Sequence, residues 1–158
     1  GITRWRIFSI FPAGRAKRDE ALHLNQEQFR YLMEFIRATR KEGRINLNYA
    51  CEGFLGGYES EVRDHFYMCN AGINVASIRV NGDISGCTSV RANYTQGNIY
   101  RDKFWDVWQN RFTKFRDRSW TKCDECADCK VWEFCRGGGM HLRDDEGKLM
   151  YCHYKMLK

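Results

Sequence analysis

The chain has 158 residues, with 43% hydrophobic and 15% aromatic side chains, one proline, and 26 Lys and Arg against 20 Asp and Glu, a net charge of +6. That composition excludes a disordered linker and allows one domain, or a small domain plus a further piece. No apolar run approaches the ~20 residues that cross a bilayer, and Trp5, Arg6 and Arg15 interrupt any signal-peptide core, so a soluble cytoplasmic protein is expected.

Residues 5–11 (WRIFSIF) read as a buried strand ended by the loop Pro12-Ala13-Gly14-Arg15-Ala16. Asn25 is placed as a helix N-cap with Gln28 as its capping-box partner, and Leu24 can staple to Phe29. Phe29, Leu32, Met33 and Ile36 follow helical spacing, which predicts a helix over 26–42 that Gly43 stops. Residues 45–49 alternate as a strand, with Cys51 just past its end. Strand, helix and strand make one βαβ unit, which normally belongs to a larger α/β sheet. A self-contained α+β domain is the alternative.

Beyond residue 60 the pattern changes. Asn81-Gly82 joins the strand-like runs 73–80 and 83–90, a strong hairpin signal. Asp102 is placed as the cap of a helix with Phe104, Val107, Trp108 and Phe112 on one face, as core. The stretch 123–139 is rich in cysteine and glycine and needs an internal staple to fold. Asp145-Glu146-Gly147 makes a final turn before Cys152. The basic groups Arg15, Lys17, Arg18 and Arg111, Lys114, Arg116, Arg118 are short and interleaved with acids, so they read as a solvated positive face rather than a nucleic-acid surface.

Eight cysteines dominate the chemistry: Cys51, Cys69, Cys87, Cys123, Cys126, Cys129, Cys135 and Cys152. Without a secretory signal such density favours metal binding over disulfides. Cys123-x2-Cys126-x2-Cys129-x5-Cys135 crowds four thiols, which repel as thiolates unless a cation holds them. A local run plus remote cysteines suits an iron–sulfur cluster better than structural zinc, which usually takes two separated CxxC pairs. Zinc in an interaction module, with nucleic acid as a partner, stays as the alternative. A thiol oxidoreductase at Cys123 and Cys126 would need a thioredoxin-like βαβ unit around them, which the flanking sequence lacks. His65, His141 and His153 are possible ligands, although each is more often a surface or hydrogen-bonded histidine. Met140 reads as packing.

The order Cys69-x12-Gly82-x4-Cys87, Cys126-x2-Cys129-x5-Cys135-Arg-Gly-Gly, then Cys152, resembles the SPASM domain, the C-terminal extension of radical-SAM enzymes that carries auxiliary iron–sulfur clusters. The family spacing is C-x9-15-G-x4-C, a gap, C-x2-C-x5-C-x3-C, a gap and a last C. The chain matches six of those seven cysteines and the glycine. Cys69-Asn-Ala-Gly72, Gly97-Asn98-Ile99, and Trp105 with Trp108 agree in detail, and the resemblance spans residues about 65–155. Trp5-Arg6 with Pro12-x-Gly14-Arg15-Ala16 resembles a subgroup of radical-SAM proteins paired with a lipoprotein.

The resemblance implies an α+β fold. Residues 1–62 would be the strand–helix–strand end of a radical-SAM partial barrel, and residues 63–158 the SPASM-like domain with its hairpin and cysteine-rich loops. It implies one or two iron–sulfur clusters of the [4Fe-4S] type. The second would use Cys126, Cys129, Cys135 and Cys152. The first would use Cys69 and Cys87, but the family's fourth central cysteine is Gly139 here, and the upstream position near Arg63 is not cysteine. Cys51 and Cys123 can substitute. Otherwise the first cluster keeps three protein ligands and an open iron, or Cys51 and Cys123 are simply thiols. The radical-SAM motif C-x3-C-x2-C is absent, so S-adenosylmethionine would be cleaved only by the parent enzyme. Its missing N-terminal barrel is the implied partner, and a peptide or small molecule the implied substrate.

Overall fold

The computed structural model describes all 158 residues. Its strands are β1 (Arg4–Ile7), β2 (Asn46–Tyr49), β3 (Ser77–Ile78), β4 (Asp83–Ser85) and β5 (Gly97–Asn98). Its helices are α1 (Gln26–Glu42), α2 (Glu59–Val62), α3 (Phe104–Asn110), α4 (Thr113–Arg116), α5 (Trp132–Cys135) and α6 (His153–Met156). The mixed α and β content divides into two compact units, one of residues 1–68 with 151–158, the other of 69–150. The sequence boundary was expected at 62/63, with the C-terminal tail on the far side of it. The last eight residues instead pack with the first unit. No helix is long and apolar enough to cross a membrane.

In the first unit β1 and β2 run parallel, Trp5 opposite Leu47 and Ile7 opposite Tyr49, with α1 as the crossover that parallel pairing demands. Helix α1 starts where expected. Asn25 Oδ1 accepts from the Gln28 amide and Gln28 Oε1 from the Asn25 amide, each at 2.9 Å, and Gly43 ends the helix in the left-handed region. Phe29, Met33 and Ile36 bury against Leu47, Tyr49, Leu55 and Val62, and Leu24 packs on the same cluster. Strand β1 is shorter than the expected 5–11, because Ser9 leaves the ladder to bond side chains. Its Oγ meets Tyr49 Oη at 2.7 Å and Glu52 Oε2 at 2.5 Å. Tyr49 Oη donates to Glu52 at 2.5 Å and meets His153 Nε2 at 3.1 Å, so a buried polar network ties α6 to the loop after β2.

The second unit holds a three-stranded antiparallel sheet, β3-β4-β5. Ser77 pairs with Ser85 and Ile84 with Gly97. Asn81-Gly82 turns the first hairpin, with Gly82 at φ +85° and Arg79 N–H bonded to Asp83 O at 2.8 Å. The strands are far shorter than the runs 73–80 and 83–90. The Ile73, Asn74 and Val75 amides all turn back onto Asn70 O at 3.1 Å, and Val90 N–H bonds Cys87 O at 3.2 Å. Asp102 does not cap α3; Lys103 holds that position. Asp102 accepts from the Asn98 amide at 2.9 Å and pairs with Arg111 at 2.9 Å. Ile84, Val107, Phe112, Phe115 and Met140 centre the core. Phe115 lies where Cβ atoms on Gly72 and Gly86 would stand, so this aromatic core depends on bare backbone there.

Burial holds His153 below the ordinary imidazole pKa. Burial alone would raise Glu52, but hydrogen bonds from His153, Ser9 and Tyr49 outweigh it and hold the carboxyl low. Both groups bind fewer protons folded than unfolded. Their stabilisation is therefore full above the unfolded histidine pKa of about 6.5 and is lost as pH falls. Amide exchange of α1, referenced to intrinsic rates, should show weaker protection at pH 5 than at pH 7.5; equal protection would contradict this account of the network.

Candidate metal centre

The cysteine segment folds as a chain of tight turns. Cys123 precedes a short 3-10 turn over Asp124–Cys126; Cys126 N–H bonds Cys123 O at 2.8 Å, Cys129 N–H bonds Cys126 O at 3.3 Å and Trp132 N–H bonds Cys129 O at 3.0 Å. Cys135 closes α5, and the chain then passes left-handed through Arg136, Gly137 and Gly138. All eight cysteines are present as thiols rather than disulfides. Cys126 is buried, Cys69, Cys87, Cys129, Cys135 and Cys152 are half-buried, and Cys51 and Cys123 are exposed.

The second unit carries Cys69, Cys87, Cys123, Cys126, Cys129 and Cys135, while Cys51 and Cys152 belong to the first. Cys69 and Cys87 pack against the Phe112–Phe115 core. Cys126 and Cys129 lie within electrostatic reach of each other. In the first unit Cys51 acts electrostatically on Arg63. Cys152 caps α6. No three cysteine, histidine or carboxylate groups converge on one metal ion. Tetrahedral zinc, with Zn–S near 2.3 Å, would need sulfurs about 4 Å apart. A multi-iron cluster is a larger body and spaces its thiolates more widely.

Two sulfurs already accept hydrogen bonds of the kind that stabilise ligated thiolate. Met140 N–H lies 3.4 Å from Cys69 Sγ, so the residue after Gly139 meets a predicted first-cluster ligand. Arg143 Nη2 lies 3.6 Å from Cys126 Sγ. Burial raises the Cys126 thiol pKa, with Arg143 acting in the opposite direction. Arg118 Nε is buried without a partner. Amide and guanidinium donors aimed at the Cys69 and Cys126 sulfurs, with a spare buried donor on Arg118, fit an anionic iron–sulfur group.

Sequence reasoning missed the arginines. Arg118 was expected on a solvated face but is buried, its Nη2 on Gly138 O at 2.7 Å. Nearby Arg116 bonds Gly72 O at 3.1 Å and Gln109 O at 3.1 Å, and Lys114 stands 4.3 Å from the Tyr94 ring centroid, so this group is largely spent on packing. His153 belongs to the first unit's network, and Met140 is core. The isolated letter R carries no mark of burial; only the carbonyl-rich glycine turns nearby hint at a need for donors.

A Cβ on Gly137 would strike Thr121 and Arg143 Nη2, whereas one on Gly138 would meet only Leu149 Cδ1 at 3.4 Å. Both positions have positive φ. Gly137→Ala should therefore destabilise the second unit by about 1–3 kcal/mol more than Gly138→Ala, measured by urea unfolding followed through tryptophan fluorescence. Equal costs would mean that the arginine cradle can yield.

Residues 69–130 match the sequence profile of SPASM, an iron–sulfur cluster-binding domain. No curated protein sequence matches significantly. Among solved structures the chain resembles native anSMEcpe with bound AdoMet and Kp18Cys peptide, at TM-score 0.51 and 17% identity, covering 92% of this chain and 42% of that one. It resembles the same protein with AdoMet and Cp18Cys peptide at TM-score 0.50 and 19% identity, with the same coverages. At such identities the likeness is one of fold, and the chain spans less than half the length of these relatives.

Proposed function

We propose that this chain, whose residues 69–130 match the SPASM iron–sulfur cluster-binding domain, holds one or two auxiliary [4Fe-4S] clusters for a radical-SAM enzyme that modifies peptides. The observation that carries the reading is the match of a cluster-binding family to a segment whose Cys69 and Cys126 sulfurs receive N–H donors. Cys126, Cys129, Cys135 and Cys152 are the ligands of one cluster. Cys69 and Cys87 belong to the other, with Cys51 and Cys123 as its further candidates.

When bound, such clusters supply one-electron transfer or an anchoring iron. The chain's own residues shield the sulfurs and donate hydrogen bonds to them. Residues 1–62 are the end of a partial barrel whose remainder lies N-terminal, and the enzyme works in the cytoplasm. The parallel pair β1 and β2 with its α1 crossover supports that reading. The peptides bound to the fold relatives favour a peptide substrate over another small molecule.

Anaerobically purified protein should be brown and contain iron and acid-labile sulfide. Cys135→Ala should lose one cluster's share of both, and with it much of the order of residues 123–139, because ligand binding in such loops supplies folding energy. Cys123→Ala should lose iron only where the first cluster uses that thiol. Full iron and sulfide in Cys135→Ala would refute the assignment, and bound zinc without sulfide would replace it.

A further inference from the structure

Three arginines are buried in this protein, and they are compensated differently. In the first unit Arg63, 1% exposed, has Glu59 Oε2 3.7 Å from its Nε. In the second unit Arg143 and Arg118 are 2% and 6% exposed, and neither has a carboxylate partner. Arg143 Nε and Nη2 bond Gly137 O at 3.0 and 2.7 Å, Nη1 bonds Gly147 O at 2.6 Å, and Nη2 also reaches Thr121 O at 3.4 Å. Its guanidinium lies 5.3 Å from the Trp120 ring centroid. Arg118 Nη2 bonds Gly138 O at 2.7 Å, and its Nε has no partner.

Carbonyl and ring contacts satisfy donors, but they do not cancel a charge. A guanidinium stays protonated at any accessible pH, and an uncompensated buried charge is expensive. The anion-forming group that Arg143 touches is the sulfur of Cys126, at 3.6 Å. We propose that Arg143, supported by Arg118 on the same glycine turn, is the built-in counter-charge of the cluster bound through Cys126 and holds that cluster's reduction potential up. This rests on Cys126 being a cluster ligand. Reduction adds an electron to a centre that is already anionic, and a fixed cation donating N–H to its sulfur stabilises the reduced state more than the oxidised one. Arg143 is a positioning and tuning residue; it makes no bond to iron.

The test uses the full chain purified anaerobically with its clusters, comparing wild type, Arg143→Met, Arg143→Lys and Cys126→Ala. Iron and sulfide are counted, and midpoint potentials are read by EPR-monitored titration. The signal lost in Cys126→Ala identifies the cluster concerned. Arg143→Met should retain iron and shift that cluster's midpoint downward, and Arg143→Lys, which keeps charge without the fork, should shift it less. An unmoved midpoint in an iron-containing Arg143 variant overturns the inference. If Arg143→Met does not fold, Arg143→Lys decides; if neither folds, Arg143 is a structural strut and the inference also falls. Full iron in Cys126→Ala would sink the ligand reading itself, whereas iron loss there with unmoved Arg143 midpoints removes the counter-charge alone.

Discussion

In the second unit the guanidinium of Arg143 reaches the carbonyls of Thr121, Gly137 and Gly147 at once while one of its nitrogens faces the Cys126 sulfur. The segment around the cysteines has little regular structure to organise it: one turn of 3-10 helix and the four residues of α5. Its backbone carbonyls point inward around the glycine turn, and buried carbonyls need donors. Arg143 and Arg118 supply them. The same side chains therefore shape the thiol-bearing turns and bring positive charge to them.

The two units bury arginine under different rules. Arg63 sits with Glu59, and the carboxylate also accepts the Leu55 and Tyr67 amides at 2.7 and 2.8 Å, so its charge is met by protein, although its Nε and Nη1 make no hydrogen bond. In the second unit the donors of Arg143 meet carbonyls, but neither Arg143 nor Arg118 meets a carboxylate. That asymmetry is what an anionic group at the thiols would relieve. The polar network of Ser9, Tyr49, Glu52 and His153 is likewise complete on its carboxylate side, and it fixes the short C-terminal helix that follows Cys152.

Gly139 is where the chain departs from the SPASM cysteine spacing it otherwise resembles, and the surroundings of that position are informative. Met140 is fully buried in the aromatic core, and its amide donates to Cys69. The backbone thus approaches Cys69 next to the position where the SPASM spacing has a cysteine, and it offers an N–H donor to the sulfur. A missing ligand and a retained approach are compatible: the path of the chain is set by the packing of Met140 and Leu142, while ligation depends on one side chain.

Sequence alone determined the features that depend on nearest neighbours and on order. The capping box at Asn25 and Gln28, the stop at Gly43, the Asn81-Gly82 turn and the ordered cysteine spacing are all local patterns, and spacing along a chain is what a metal-binding loop conserves in one dimension. The short strands, the role of Lys103 rather than Asp102 at the start of α3, and the packing of residues 151–158 with the first unit were not legible, because each is decided by competition from distant partners. The buried arginines are the clearest case. Arg118 and Arg143 look like surface charge in a linear sequence; only tertiary structure encloses them among carbonyls and a thiol, since burial is a property of what the rest of the chain places around a residue.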